Sequence, residues 1–225
     1  MKRLLVLQHT EAEYLGLMED HLEGRNIRFT YARPFVAGGG VPSVTGGADG
    51  LILLGGGPYG VVSGHILPSL GPELRLTRAF LDAGLPVAGF GLGALILAIA
   101  AGGGADEAPL RFTIETAHAT PGSGLPDRFA MACYLRDRPQ LAADWPVLAA
   151  DAQGAPLMFA PRANAVGFLG HPGMKRGMAE DLIMEFADTP DDCPAALAAL
   201  GSAQGDIAEA LTPLMVWLVD RCGWM

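Results

Sequence analysis

The chain has 225 residues, 50% hydrophobic and 17% charged, with a formal net charge of -9 and a pI near 4.9. That length suits one domain with a short appendage. The acidic balance argues against nucleic acid as a partner, because phosphate binding needs clustered Lys and Arg, and the 15 basic residues here are scattered. Three cysteines, Cys133, Cys193 and Cys222, at irregular spacing give neither a disulfide framework nor a metal signature, so no metal and no cofactor are expected. Met1-Lys2-Arg3 leads into only four apolar residues, Leu4 to Leu7, so no secretory leader is expected. The apolar stretch Leu214 to Val219 is far short of the roughly 20 residues of a membrane span. These features point to a cytoplasmic protein with no membrane association.

Strand and helix patterns alternate over the first hundred residues. Arg3 to Gln8 reads as a strand, Glu13 to Leu22 as a helix with Leu15, Met18 and Leu22 on one side, and Ile27 to Tyr31 as a second strand. Gly50 to Leu54 is a buried strand that runs into Gly55-Gly56-Gly57-Pro58. Leu70 to Ala83 follows as a helix with Leu70, Leu74, Phe80 and Leu81 inward. Pro86 to Phe90 is the next strand, and Ala94 to Ala101 the next helix. Short apolar strands alternating with helices imply a parallel sheet covered on both faces.

The second half is strand-rich. Leu110 to Thr116, Arg128 to Leu135, Val147 to Asp151 and Leu157 to Ala160 are strand-like and separated by Gly/Pro turns. Ala165 to Leu169 runs into Gly170-His171-Pro172-Gly173, and Met178 to Phe186 is helical. A turn-rich linker, residues 187 to 193, precedes two helical patterns. The last carries Ile207, Leu211, Leu214, Met215 and Leu218 on one stripe, with Trp217 and Trp224 nearby. Such a stripe docks on its own domain or forms a subunit interface, for which the tryptophans are suited. The expected division is a domain over 1–188 and a helical extension over 189–225.

The most informative position is Gly91. A buried strand, a Gly-X-Gly turn and an apolar helix outline a nucleophile elbow, where a side chain is held at a sharp turn. Here the turn residue has no side chain. Elbow residues are held in strained backbone geometry, at a cost of about 1–3 kcal/mol for a non-glycine residue. Glycine accepts that geometry with little penalty.

Three motifs, in order and at suitable separations, resemble those of class I glutamine amidotransferases. They are Leu51-Ile52-Leu53-Leu54-Gly55-Gly56-Gly57-Pro58, the elbow from Pro86 to Ala94, and Ala165-Val166-Gly167-Phe168-Leu169-Gly170-His171-Pro172. The resemblance covers roughly residues 1 to 188. It implies a flavodoxin-like α/β fold, a central mostly parallel sheet with helices on both faces. It also implies glutamine hydrolysis by a Cys-His-Glu triad, with ammonia passed to a partner domain or subunit. Carried over by position, the Cys is Gly91, the His is His171, the Glu is Gly173, and the family's Gln four residues after the Cys is Leu95. Only His171 of the triad remains. Loss of a triad nucleophile costs about six orders of magnitude in kcat. The resemblance therefore implies a degenerate member without glutaminase activity.

Several sites stay open at this level. His171 is a relict base or a capping, packing residue. His65 belongs to a solvated loop or faces the old pocket, where Ser63 and His65 would form a nucleophile pair lacking an acid. Gly55, Gly56 and Gly57 offer N–H groups to an anion or make a plain turn. With Leu92, Leu95 and His65 they are the ligand-binding candidates. Arg162, Lys175 and Arg176 bind an acidic ligand or are solvated surface charges. The functional expectation is a binding or scaffolding subunit of a biosynthetic enzyme, with a protein partner or a second copy held through the C-terminal helices. The alternatives are a hydrolase or transferase with a rearranged site near His171, and a sensor of a small, glutamine-like molecule that uses the pocket emptied by the missing thiol. Restoring Cys at 91 and Glu at 173 together is expected to return more glutaminase than Cys alone.

Overall fold

The short apolar runs assemble into a single large sheet. The computed structural model describes residues 1–225. In chain order the elements are β1 (Arg3–Leu7), α1 (Met18–Glu23), β2 (Arg28–Ala32), β3 (Gly50–Leu53), α2 (Leu70–Asp82), β4 (Val87–Phe90), α3 (Leu92–Ala100), β5 (Gly104–Asp106), β6 (Arg111–Ala119), β7 (Arg128–Leu135), β8 (Arg138–Gln140), β9 (Val147–Ala150), β10 (Pro156–Arg162), β11 (Ala165–Phe168), α4 (Arg176–Glu185) and α5 (Cys193–Arg221). The nine-stranded sheet runs β2-β1-β3-β4-β11-β10-β9-β6-β7, and β5 and β8 form a separate pair. The neighbours from β2 to β11 are parallel, and those from β11 to β7 are antiparallel.

The strands are buried on both faces, which is why they read as continuous apolar runs. Along β3 and β4, Leu51, Leu53 and Val87 enter the core under α2 and α3. Ile52, Ala88 and Phe90 enter the opposite core, shared with α1 and α5. Alternation at period two thus divides each strand between two layers.

The C-terminal stripe docks on its own chain. Leu211, Leu214, Met215 and Leu218 belong to the same core as β1, β4 and β11, and Ile207 packs beneath α4. The stripe is therefore consumed inside the molecule. The two helical patterns expected after the linker are one helix of 29 residues, with Pro213 inside it. No helix is long and apolar enough to cross a membrane.

The other departures are local. The helix expected from Glu13 begins only at Met18, because Gly16 takes a φ of +62° and breaks the first turn. Leu15, Met18 and Leu22 are buried nonetheless. On α2 the deeply buried face is Glu73, Leu76, Thr77, Phe80 and Leu81, whereas Leu70 and Leu74 are only partly covered.

Candidate functional site

β1, β3, β4 and β11 all end at the same edge of the sheet, where α/β folds bind their ligands. That edge brings together the segment after β1, the glycine loop after β3, the turn after β4 and His171 after β11.

Gly91 is the turn between β4 and α3. Its angles are φ 54° and ψ −118°, a left-handed geometry that glycine adopts freely. Its N–H donates to the Phe168 carbonyl at 2.8 Å. A Cβ placed at Gly91 would lie 3.5 Å from Gly55 Cα and 3.8 Å from the Tyr134 carbonyl oxygen, with nothing nearer. A Cβ at this turn would thus sit in ordinary contact with backbone atoms alone.

The glycine loop is occupied by a side chain of the protein itself. Gly57 N–H donates to Glu13 Oε2 at 2.5 Å. The Glu13 carboxyl lies so close over Gly55 that a Cβ there would overlap Oε1. At Gly56 the same space is filled by the Leu92 side chain. The Gly55–Gly57 side of the site is therefore occupied by the chain's own Glu13. Burial pushes the Glu13 pKa up to about 7, against the opposing Gly57 N–H and the nearby His9.

Behind Glu13 lies a buried polar network. His9, just past β1, donates from Nδ1 to the Gly55 carbonyl at 2.9 Å, and its Nε2 is 2.7 Å from Glu73 Oε2. Both side chains are fully covered. Burial alone would lower the His9 pKa, but Glu73 and the Gly55 carbonyl outweigh it and the net shift is upward. An imidazolium satisfies both acceptors. Ser69 Oγ donates to Glu73 Oε1 at 2.6 Å and completes the set.

His171 is a packing and capping residue rather than a free base. Its Nε2 donates to the Tyr14 carbonyl at 2.8 Å, and Gly173 N–H donates to its Nδ1 at 3.1 Å. A neutral imidazole has one N–H and one lone pair, and both are engaged. Burial lowers its pKa to about 4, against the Tyr14 hydrogen bond. Gly173 is closely packed, so a longer side chain there requires Met18 to shift by a few tenths of an ångström. A Cβ there would be 3.0 Å from Met18 Cγ and 3.2 Å from Met18 N.

The remaining candidates do not converge on the elbow. Leu95 is fully buried in the core between β3 and α3 and lines no entrance. His65 is exposed and lines a shallow groove of about 420 Å³ with Tyr59, Ile66 and Phe186. Ser63 has an acid after all: its hydroxyl donates to Asp137 Oδ1, while Asp137 Oδ2 accepts N–H bonds from Val61, Val62 and Ser63. That arrangement clamps a loop and includes no histidine. Arg162 and Arg176 bind Leu81 and Glu180. Lys175 stacks over Tyr14 at 5.8 Å. Cys133 faces the core beside Gly170, and burial pushes its thiol up to about 12. No three His, Cys, Asp or Glu side chains converge as metal ligands.

Sequence reasoning missed Glu13, His9 and Glu73. Glu73 had a signal: it shares the i, i+3, i+4, i+7 spacing of Leu76, Thr77 and Phe80. Glu13 and His9 had none, because their segment has no regular structure.

No protein-family model and no curated protein sequence matches the chain. Solved structures do. A glutamine amidotransferase from Thermotoga maritima is 20% identical, with 98% of each chain covered and a TM-score of 0.76. A glutamine amidotransferase from Methylobacillus flagellatus is 18% identical over 98% of this chain and 95% of that one, with a TM-score of 0.77. A putative GMP synthase subunit from Thermoplasma acidophilum is 18% identical over 91% of this chain and 98% of that one, with a TM-score of 0.61. The chain has the class I glutamine amidotransferase fold.

Proposed function

We propose that this chain carries the amidotransferase fold without its glutaminase chemistry and serves as a non-catalytic binding subunit of a biosynthetic enzyme. One observation carries the reading. At the turn where the fold presents its nucleophile stands Gly91, and only backbone atoms lie within 4 Å of a Cβ placed there. Two further features agree with it. The N–H of Gly57 that would receive developing negative charge is bonded to Glu13, and both ring nitrogens of His171 are engaged. The subunit role is supported by analogy with the neighbour described as a GMP synthase subunit.

The test of the chemistry is direct. Purified protein with millimolar glutamine is expected to release no ammonia above a buffer blank. A glutamine-analogue electrophile is expected to leave Cys133, Cys193 and Cys222 unlabelled. Glutamine-competable labelling of any of the three would overturn the reading. The subunit role is tested by co-purification from the native source: a stoichiometric biosynthetic enzyme supports it, and isolation of the chain alone counts against it.

A further inference from the structure

We propose that the free edge of β6 is a docking strand for a second copy of this chain. The two strands pair antiparallel about a two-fold axis at Thr113, which sets Arg111 of each copy against Glu115 of the other. The inference goes beyond the non-catalytic reading and does not depend on it.

β6 is the longest strand, at nine residues, and only part of it is covered. One side pairs with β7 from Arg111 to His118. The other side meets β9 only at His118 and Ala119, because β9 is four residues long. Successive residues of a strand present their N–H and C=O groups to opposite sides. The outward groups between Arg111 and Ala117 therefore have no backbone partner in the chain. No proline, lysine or bulge blunts this stretch, although such devices protect free edges elsewhere. Pro109 stops it at one end and β9 at the other.

The side chains on this edge are short of partners. Arg111, Thr113 and Glu115 alternate along the strand and so share one face. Arg111 Nε and Thr113 Oγ1 are buried without a hydrogen bond. Neither Arg111 nor Glu115 takes part in an ion pair within the chain. On one strand the two charges stand about 13 Å apart and cannot meet.

Charge selects the register. A two-fold axis between identical antiparallel strands sets one residue opposite its own copy, and that residue fixes every other pair. With Thr113 on the axis, Arg111 faces Glu115 twice, Phe112 faces Ile114 twice, and the two Thr113 hydroxyls face each other. Opposite charges, an aromatic with a β-branched residue, and paired threonines are all favourable across strands. The same register brings acceptors to the unpartnered Arg111 and Thr113 atoms. An axis at Glu115 sets like charges together. An axis at Phe112 or Ile114 leaves Arg111 opposite Thr113 or Ala117. Charges kept on an edge to repel a second copy would be of one sign. Here they are of opposite sign and equidistant from Thr113.

The test is a charge swap read by sedimentation velocity at low salt, from low to high micromolar protein. Wild type is expected to shift from the 23.4 kDa chain to a species of twice that mass. Arg111→Glu and Glu115→Arg each set like charges opposite one another, and each is expected to weaken the dimer about tenfold or more. The double variant, Arg111→Glu with Glu115→Arg, is expected to restore it. Circular dichroism checks that each variant is folded. Where one is not, hydrogen exchange of the wild type decides: residues 110–117 are expected to exchange more slowly at high protein concentration. A wild type that stays monomeric overturns the proposal. So does a dimer indifferent to both single changes, a folded double variant no better than the singles, or exchange at 110–117 that ignores concentration.

Discussion

At Glu13 two effects oppose each other. Burial penalises the charged carboxylate, while the Gly57 N–H and His9 favour it, and burial wins, with a pKa near 7. An acid whose folded pKa is raised binds a proton more tightly when folded. Its contribution to stability is therefore complete below the unfolded value, near 4.5, and is lost as pH rises through about 7. Glu13→Gln is permanently neutral and escapes this loss. The stability of Glu13→Gln relative to wild type should thus rise between pH 4.5 and 7 and level off above. The total change is of order 3 kcal/mol, because the Glu13 pKa moves from 4.5 to about 7. Urea denaturation at four or five pH values measures it. A difference that is flat with pH would show that Glu13 is not buried as described. His171, whose pKa does not depend on Glu13, titrates in both proteins and cancels in the comparison, which is why the variant is more informative than the wild-type profile alone.

At the scale of elements, α5 decides how the chain is put together. Its stripe lies in the core beneath β1, β4 and β11, so the segment from 189 onward shares its packing with residues 1–188. Leu214 is 2% exposed. Truncating a side chain so placed costs roughly 2–5 kcal/mol, from lost burial and the cavity left behind. Leu214→Ala should show a loss of that size in its denaturation midpoint. An unchanged midpoint would mean that α5 is a loosely attached appendage. Pro213 does not end the helix, although a proline in a helix interior removes a hydrogen bond, because Leu211, Leu214 and Met215 on either side are fixed by the core. Packing outweighs local preference there, and local preference was the basis for expecting two helical segments.

The strands were legible because burial on both faces leaves an unambiguous apolar run, and β7 matches its sequence-based boundaries, Arg128–Leu135. The glycine loop, the elbow and His171 were legible because tight turns demand particular residues at fixed positions. What fills the site was not legible. Glu13 reaches it from a segment whose path depends on Gly16 turning the chain and on Leu17 bonding to Gly173, residues distant in sequence from the elbow. Leu95 was assigned to the pocket by position, but its depth in the α3 core depends on how that helix is rotated against the sheet.

For the whole molecule the central claim is that the amidotransferase edge of the sheet is closed to glutamine chemistry by more than one missing atom. Gly91→Cys supplies that atom. A side chain at 91 has room, since its nearest neighbours would be 3.5 and 3.8 Å away, and the backbone strain of about 1–3 kcal/mol is tolerable. The thiol would still lack a base, because His171 is committed through both nitrogens, and an acyl oxygen would find the Gly57 N–H taken by Glu13. The deciding measurement is ammonia release from glutamine by folded Gly91→Cys. Trace activity at most, close to that of the wild type, is the predicted result. Robust turnover would contradict it, because the loop and His171 would then be free to act and the site would still be a glutamine site.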